Sequence, residues 1–542
     1  MASIRKDWSS LSPTERAWYA TAVGEMKKIT QKDPNDPRGW QYQANVHGVS
    51  GGVPPALKNF WAQCQHQSYF FLSWHRMYIY YFEEILRAVT STPGATLPYW
   101  NYTDTPDVAS TRALPEEFWK VTTNNPLYVE RRNPLINRGG SVPKSDVLYE
   151  GAYQYTDFYS AGTTVAGGVA LALAFGGYPT GPVHFSTYNG QLENQPHNLV
   201  HVKVGGLMGN PNTAAADPIF WLHHSNIDRL WEGWLAQGGG RHNPLPGESP
   251  ASDHWLTSTF QFHDGQGNQV QLTGAQVVDT AQQLGYVYDK LPPTPLTRRT
   301  TIAPHAFLAK AAVTGTAGVA ADTAAAPAEL GGAEETGLQL DNVKTVELPL
   351  AHAAAPKAGP RRVSAPAADT AEVAPAPETQ PRVVLSLEGL HVEGQPELTY
   401  EVYLDAPDLR HATPESIYYV GNIGIFTHGD DEGGNGEHDA HAGHAHHGGH
   451  AGDGGGGDDP HAGHGLTNIG FDITDVVNNL QAQNEWDPGN PKVTFVARGV
   501  EPPEQAATRS RLSAAERSLA DELPAADKPV HYTVQRIRVF QV

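Results

Sequence analysis

Residues 193–231 read ENQPHNLVHVKVGGLMGNPNTAAADPIFWLHHSNIDRLW and carry four histidines, His197, His201, His223 and His224. His197 and His201 are four apart, so on a helix they stand one above the other on one face, where two imidazoles can grip one ion. After a loop rich in Gly, Asn and Ala, Asp217-Pro218 offers an N-cap and a first helical residue. From there Phe220, His224, Ile227 and Trp231 fall at i, i+4, i+7 and i+11, a single stripe. A histidine inside an apolar stripe must be buried with a partner. One histidine alone reads as a core residue bonded to backbone; an i, i+4 pair followed by a third reads as a metal site.

Working outward, a second set of histidines lies upstream. His47 sits in QANVHGVSGGVPP, read as an irregular, glycine-rich segment. From Ser73 the pattern is helical, with His75, Tyr78, Ile79, Phe82, Ile85, Leu86 and Val89 on one face. His66 is nine residues before His75, and one straight helix would point the two oppositely. It is therefore expected on a loop folded back beside that helix. The two sets, His47, His66, His75 and His197, His201, His224, have no Asp or Glu at ligand-like spacing, and Cys64 is the only thiol. All-imidazole sites suit copper, zinc or nickel, whereas di-iron and di-manganese bundles recruit carboxylates.

The rest of the chain sets the frame. With 542 residues, two or three domains are expected. A formal charge of −21 makes nucleic acid and anionic membranes poor partners. One cysteine permits no intrachain disulfide, the first residues carry charges without an apolar signal core, and no run of 18 apolar residues occurs. A soluble, cytoplasmic protein is the expectation. Ser12-Pro13-Thr14-Glu15 opens a first helix with a capping box. Residues 1–295 read as a mainly α metal-binding domain with long loops. Residues 296–340 form an Ala/Pro-rich linker, and 341–542 an all-β antiparallel sandwich. Its strands are VKTVELPL, VVLSLEGL, LTYEVYLD, SIYYVGNIGIF, GFDITDVV, KVTFVARGV and HYTVQRIRVFQV. Two insertions interrupt it: an Ala/Pro-rich one (351–382) and a His/Gly-rich one (428–465). The second holds nine histidines, a composition of metal-binding tracts and equally of inert loops.

The motifs VHG at His47, HQSYFFLSWH followed by RMYIYYFE, ENQPHNLVH and DPIFWLHHSNIDRLW together resemble the type 3 copper proteins: tyrosinases, catechol oxidases and molluscan haemocyanins. The resemblance covers about residues 10–240, and the C-terminal sandwich is more weakly similar to the family's shielding domain. It implies a four-helix-bundle core in which His47, His66 and His75 bind one copper and His197, His201 and His224 the other, with O2 as co-substrate. His223 and Phe220 are then neighbours of the ligands, Phe220 packing on an imidazole. Cys64-Gln65-His66 is similar to the arrangement that forms a cysteine–histidine thioether. Glu193 and Asn198 match positions that hold a proton-accepting water near a bound phenol. As alternatives to that role, Glu193 reads as a helix N-terminal charge and Cys64 as a buried thiol. Asp228 and Arg229 read as a structural ion pair.

The implied activity is ortho-hydroxylation of monophenols and oxidation of o-diphenols to quinones. Its expected partners are small phenols and an activating protease. A diphenol-only catechol oxidase and a reversible oxygen carrier share the same ligands; a dizinc hydrolase would be expected to show bridging carboxylates. The resemblance also implies a zymogen, with the C-terminal domain as a lid and an aromatic such as Tyr419 or Phe426 as its plug. The histidine tract would then collect copper.

Overall fold

The computed structural model describes residues 2–160, 173–182, 186, 188–294, 328–333, 338–340, 342–350, 382–393, 398–426, 467–503 and 531–541. Helix α1 (Pro13–Lys32) begins at the expected capping box: Ser12 accepts from the Glu15 amide and the Glu15 carboxylate accepts from the Ser12 amide. Helix α2 (Trp40–His47) ends on His47, which is thus the last residue of a helix rather than part of the irregular segment after it. Helix α3 (Phe71–Thr90) buries His75, Tyr78, Ile79, Phe82, Ile85 and Leu86 of the predicted face, together with Trp74, while Val89 is half-buried. Helices α4 (Leu199–Val204) and α5 (Pro218–Ala236) complete the histidine-bearing core. Where α3 meets α5, Phe82 stacks on Trp221 with ring centroids 3.4 Å apart.

Two buried ion-pair clusters lock these helices, and both correct the expected Asp228–Arg229 pair. Asp228 faces Arg76 of α3 (2.5 Å) and Arg5 (3.6 Å), and accepts from the Tyr286 and Tyr288 hydroxyls at 2.6 Å each. Arg5 and the two tyrosines lie on β1 (Ser3–Arg5) and β4 (Tyr286–Tyr288), a parallel pair. Arg229 instead donates to both oxygens of Asp104, at 2.6 and 2.7 Å. Adjacent residues on a helix point about 100° apart, so each found a different partner. The hairpin β2 (Thr259–His263) and β3 (Gln269–Thr273) closes this domain against α3.

The second domain is antiparallel throughout its described strands, in two sheets. One has the order β10 (Tyr419–Ile423), β9 (Thr399–Leu404), β12 (Lys492–Arg498), β7 (Val343–Glu347). The other runs β5 (Ala328–Ala333), β14 (Arg536–Gln541), β8 (Val383–Glu393), β13 (His531–Val534), β6 (Leu338–Leu340), with β11 (Thr467–Asp472) also on β8. The inner faces share one apolar core that includes Leu385, Leu387, Val402, Tyr403, Ile423, Phe495 and Val539.

Three expectations change. Within the stretch read as linker, 328–333 and 338–340 pair as strands; AELGGA is small and weakly apolar, and β14 rather than its own side chains organises it. The segment GFDITDVV splits: its strand ends at Asp472, and Thr474–Ala482 is a helix burying Val476, Val477 and Leu480. HYTVQRIRVFQV is two strands broken at Gln535. Residues 296–327, the insertion 351–382 up to residue 381, and the histidine-rich insertion 428–465 lie outside the described residues.

The sheet domain sits on the helical one through buried polar contacts. Asp146 accepts from the Thr399 hydroxyl (2.9 and 3.0 Å) and from Asn422 Nδ2 (2.6 Å), with Lys203 Nζ 4.0 Å away. Arg112 pairs with Glu501 at 3.1 Å, Gln67 Nε2 donates to Thr467 Oγ1 at 2.8 Å, and Gln191 Nε2 donates to the Gly470 carbonyl at 3.0 Å.

Candidate metal centre

The six histidines reach the site from five local structures, His197 and His201 sharing one. The loop after α2 folds back along that helix's end: the amides of Ala62, Gln63 and Cys64 donate to the carbonyls of Asn45, Val46 and His47. These bonds satisfy helix C-terminal carbonyls and bring Cys64 and His66 beside His47. His66 lies on a loop, as expected, with its ring 5.1 Å from those of His47 and His75; His47 and His75 are 5.5 Å apart. One ligand atom from each of His47, Cys64 and His66 lies within 4.8 Å of the others.

In the second set, His224 Nε2 lies 3.3 Å from His197 Nε2 and 3.4 Å from His201 Nε2. The sets abut: His75 and His224 stack with centroids 4.3 Å apart and an 11° tilt. The expected continuous helix through Glu193, His197 and His201 is broken. Gln195 has φ −144° and ψ 124°, because the residue before a proline is pushed off the helical region. His197 and His201 share the helical turn that begins at Pro196, and Glu193 precedes the break.

Four rings are held in one polarity. The Nδ1–H groups of His47, His75 and His201 donate to the carbonyls of Pro211, Phe71 and Met208, each at 2.8 Å, and His197 Nδ1 donates to Asn198 Oδ1 at 2.9 Å. Carbonyl oxygens only accept, so the proton sits on Nδ1 and the lone pair on Nε2, the arrangement of metal-ligating histidine. Burial pushes His75, His201 and His224 well below the ordinary imidazole range, and His197 down to about 3, so the rings stay neutral. Phe71 (4.6 Å from His197, 4.7 Å from His75) and Phe220 (4.2 Å from His224, 4.9 Å from His47) wall the rings in.

Glu193 reaches this wall from before the kink. Its Oε1 accepts from the Gln67 amide at 2.7 Å, and its buried Oε2 has no hydrogen-bond partner among the described residues. Burial holds its carboxyl well above the usual range, against the pull of the Gln67 and Gly190 amides. Asn198 uses its oxygen on His197. His223 stands one residue off the ligand stripe, and its Nδ1 is 2.8 Å from the Tyr102 hydroxyl. From the sheet domain, Phe426 stacks on His201 at 4.1 Å and lies 5.5 Å from His66 and 5.8 Å from His197. Tyr419, the other expected plug, donates its hydroxyl to Asn422 Oδ1 at 2.7 Å. Sequence reasoning missed Tyr102 and Gln67. Tyr102 lies in LPYWNYT, which reads as aromatic packing, and Gln67 contributes chiefly a backbone amide, which no side-chain pattern encodes.

Residues 37–237, which contain all six histidines, match the common central domain of tyrosinase. The helical domain thus carries the tyrosinase central domain. Residues 251–301 match the polyphenol oxidase middle domain, and 453–515 a domain of unknown function (DUF7868). The chain is 38 % identical over 316 residues to tyrosinase HcTyr1 of Hahella sp. (strain CCB-MM4), covering 52 % of this chain and 62 % of that one. It is 30 % identical over 315 residues to polyphenol oxidase A of Solanum lycopersicum, covering 53 % and 46 %. The chain thus spans about half to three fifths of these relatives' lengths. In fold it is similar to latent apple tyrosinase, at a TM-score of 0.58 and 19 % identity over 100 % of this chain and 97 % of that one. Latent aurone synthase, a polyphenol oxidase, gives 0.55 and 18 %. Tyrosinases are type 3 dicopper proteins, and the donor set fits that metal: buried neutral imidazoles in two abutting clusters with no carboxylate among them.

Proposed function

We propose that this tyrosinase-family protein is a copper-dependent phenol oxidase. It hydroxylates monophenols at the ortho position and oxidises o-diphenols to o-quinones. The sheet domain holds it latent. A monophenol and one O2 give one o-quinone and one water, one oxygen atom entering the ring; two o-diphenols and one O2 give two o-quinones and two waters. The observation that carries this reading is the pair of buried imidazole triads closed by Phe426, a phenyl ring seated against His201 where a flat aromatic substrate has to lie.

Two coppers, one on His47, His66 and His75 and one on His197, His201 and His224, supply the dioxygen chemistry that no side chain offers. The chain does the rest. Phe71 and Phe220 exclude water and fix the imidazoles. Glu193 Oε2 accepts the phenol proton, directly or through a water held with the Asn198 amide. A phenol ionises near pH 10, so a base beside it is needed, and burial makes an ionised Glu193 a stronger one. Cys64 Sγ bonds an imidazole carbon of His66, the S–H and C–H hydrogens leaving with two electrons to O2 as H2O2, and so fixes the one ligand that stands on a loop. Activation follows when a protease cuts between the domains and Phe426 leaves.

Oxygen uptake with tyrosine, tyramine and catechol is the test, on the whole chain and on protein cut within 295–327 with the sheet domain removed. The copper-loaded cut protein is expected to consume oxygen with catechol and tyramine, and faster than the whole chain. A soluble, copper-loaded cut protein that binds oxygen reversibly without consuming it would overturn the reading.

A further inference from the structure

His223 and His224 are adjacent, both buried, and one nitrogen of each lies within 4.8 Å of ligand atoms of His197 and His201. Proximity alone does not say which of the two completes the second triad. Hydrogen-bond polarity does.

The chain of bonds starts at an arginine, which can only donate. Arg229, fixed on Asp104, donates from Nη1 to Asn226 Oδ1 at 2.9 Å. That bond orients the amide, so the Asn226 NH2 group faces the other way, towards the Thr103 hydroxyl at 3.5 Å and the neighbouring Tyr102 oxygen, on which it acts as a donor. The Tyr102 oxygen is therefore an acceptor on that side, and its own hydrogen goes to its other neighbour, His223 Nδ1, at 2.8 Å. Burial raises Tyr102 far above the ordinary phenol range, so the hydrogen stays in place. An imidazole that accepts at Nδ1 carries its proton on Nε2. This is the reverse of His47, His75, His197 and His201. In His223 one lone pair is taken by Tyr102 and the other nitrogen is protonated, so neither can hold a metal.

Resting on the dicopper reading above, we propose that Tyr102 is a positioning residue that locks His223 as the Nε2–H tautomer. It keeps His223 out of the metal's ligand set, leaves His224 as the third ligand, and presents His223 as a hydrogen-bond donor beside the site. Breaking the lock releases an imidazole able to take the place of His224.

Copper bound per full-length chain, measured after loading and desalting, tests this without recourse to activity. The wild type is expected to hold two ions and His224→Ala one. Tyr102→Phe/His224→Ala is expected to return towards two, as His223 becomes a ligand. Asn226→Asp/His224→Ala reaches the same end by another route, because a carboxylate draws the Tyr102 hydrogen away from His223, and it serves if the first double variant does not fold. Tyr102→Phe alone is expected to keep two ions while shifting the visible absorption of the cobalt(II)-substituted protein. A His224→Ala protein with two coppers, or folded double variants that stay at one, would overturn the lock. A wild type that does not hold two would instead remove the dicopper reading itself.

Discussion

At the scale of single residues, the six-imidazole cluster makes the metal-free protein acid-sensitive. A neutral histidine buried in the fold takes a proton in the unfolded chain near pH 6.5, while His197 in the fold does so only at about 3. Between those values the unfolded state binds more protons, so stability is full above about 6.5 and falls as pH drops through that window. For His197 alone, two pH units below 6.5 cost on the order of 3 kcal/mol. Thermal melts of the metal-free protein at pH 7.5 and 4.5 should show a large drop, and equal melting temperatures would contradict it. Glu193→Gln keeps the acceptor for Gln67 but not the base; monophenol turnover should fall about 10²-fold, with a smaller loss for catechol. The ratio of initial rates on tyramine and catechol measures it. The types and order of these residues were legible in the sequence because ligand chemistry constrains them. Tyr102, which sets the tautomer of His223, was not, because it lies 121 residues away along the chain.

At the scale of the element, α5 depends on its first residue. Asp217 caps the helix by accepting from the Ile219 amide, and both of its oxygens bind Arg132, at 2.7 Å each, with both side chains fully buried. Asp217→Ala leaves a buried arginine without its partner and should cost about 3–5 kcal/mol, read as a shift in the denaturation midpoint. A smaller loss, within 1 kcal/mol, would mean the pair is solvated. The cap was legible from Asp-Pro; the arginine was not, since Arg132 sits in a loop-rich stretch with no period. The same limit hid the break at Gln195. Spacing of four suggests a helix, and the proline between His197 and Glu193 decides where that helix starts. Gly206 marks another local requirement, with φ +57° and the Arg131 carbonyl where a Cβ would stand. Gly206→Ala should leave little soluble protein.

At the scale of the whole molecule, the two domains are joined by contacts that end near the metal centre. Asn422, held by Asp146, is four residues from Phe426, and Gln67, held by Thr467, is next to His66. Phe426→Ala in the uncut chain should therefore raise catechol oxidation several-fold while the domains stay together, as size-exclusion and melting profiles would show; unchanged latency would mean that the domain as a whole, not the ring, blocks entry. The alternation of apolar residues made the sheet domain legible. Its docking was not, because Asp146, Thr399 and Asn422 are polar residues on separate elements, meaningful only once they meet. The short strands at 328–333 and 338–340 were equally silent, being defined by their pairing partner.

The Phe426 ring has the shape of the molecules the site is proposed to accept. On the proposed function it would act as a competitive inhibitor tethered to its own enzyme, present at an effective concentration in the millimolar range or above. Latency of this kind is a contest rather than a wall. A phenol that binds well enough should displace the ring without any cut, so the uncut chain would show a raised apparent KM with kcat approaching that of the cut form.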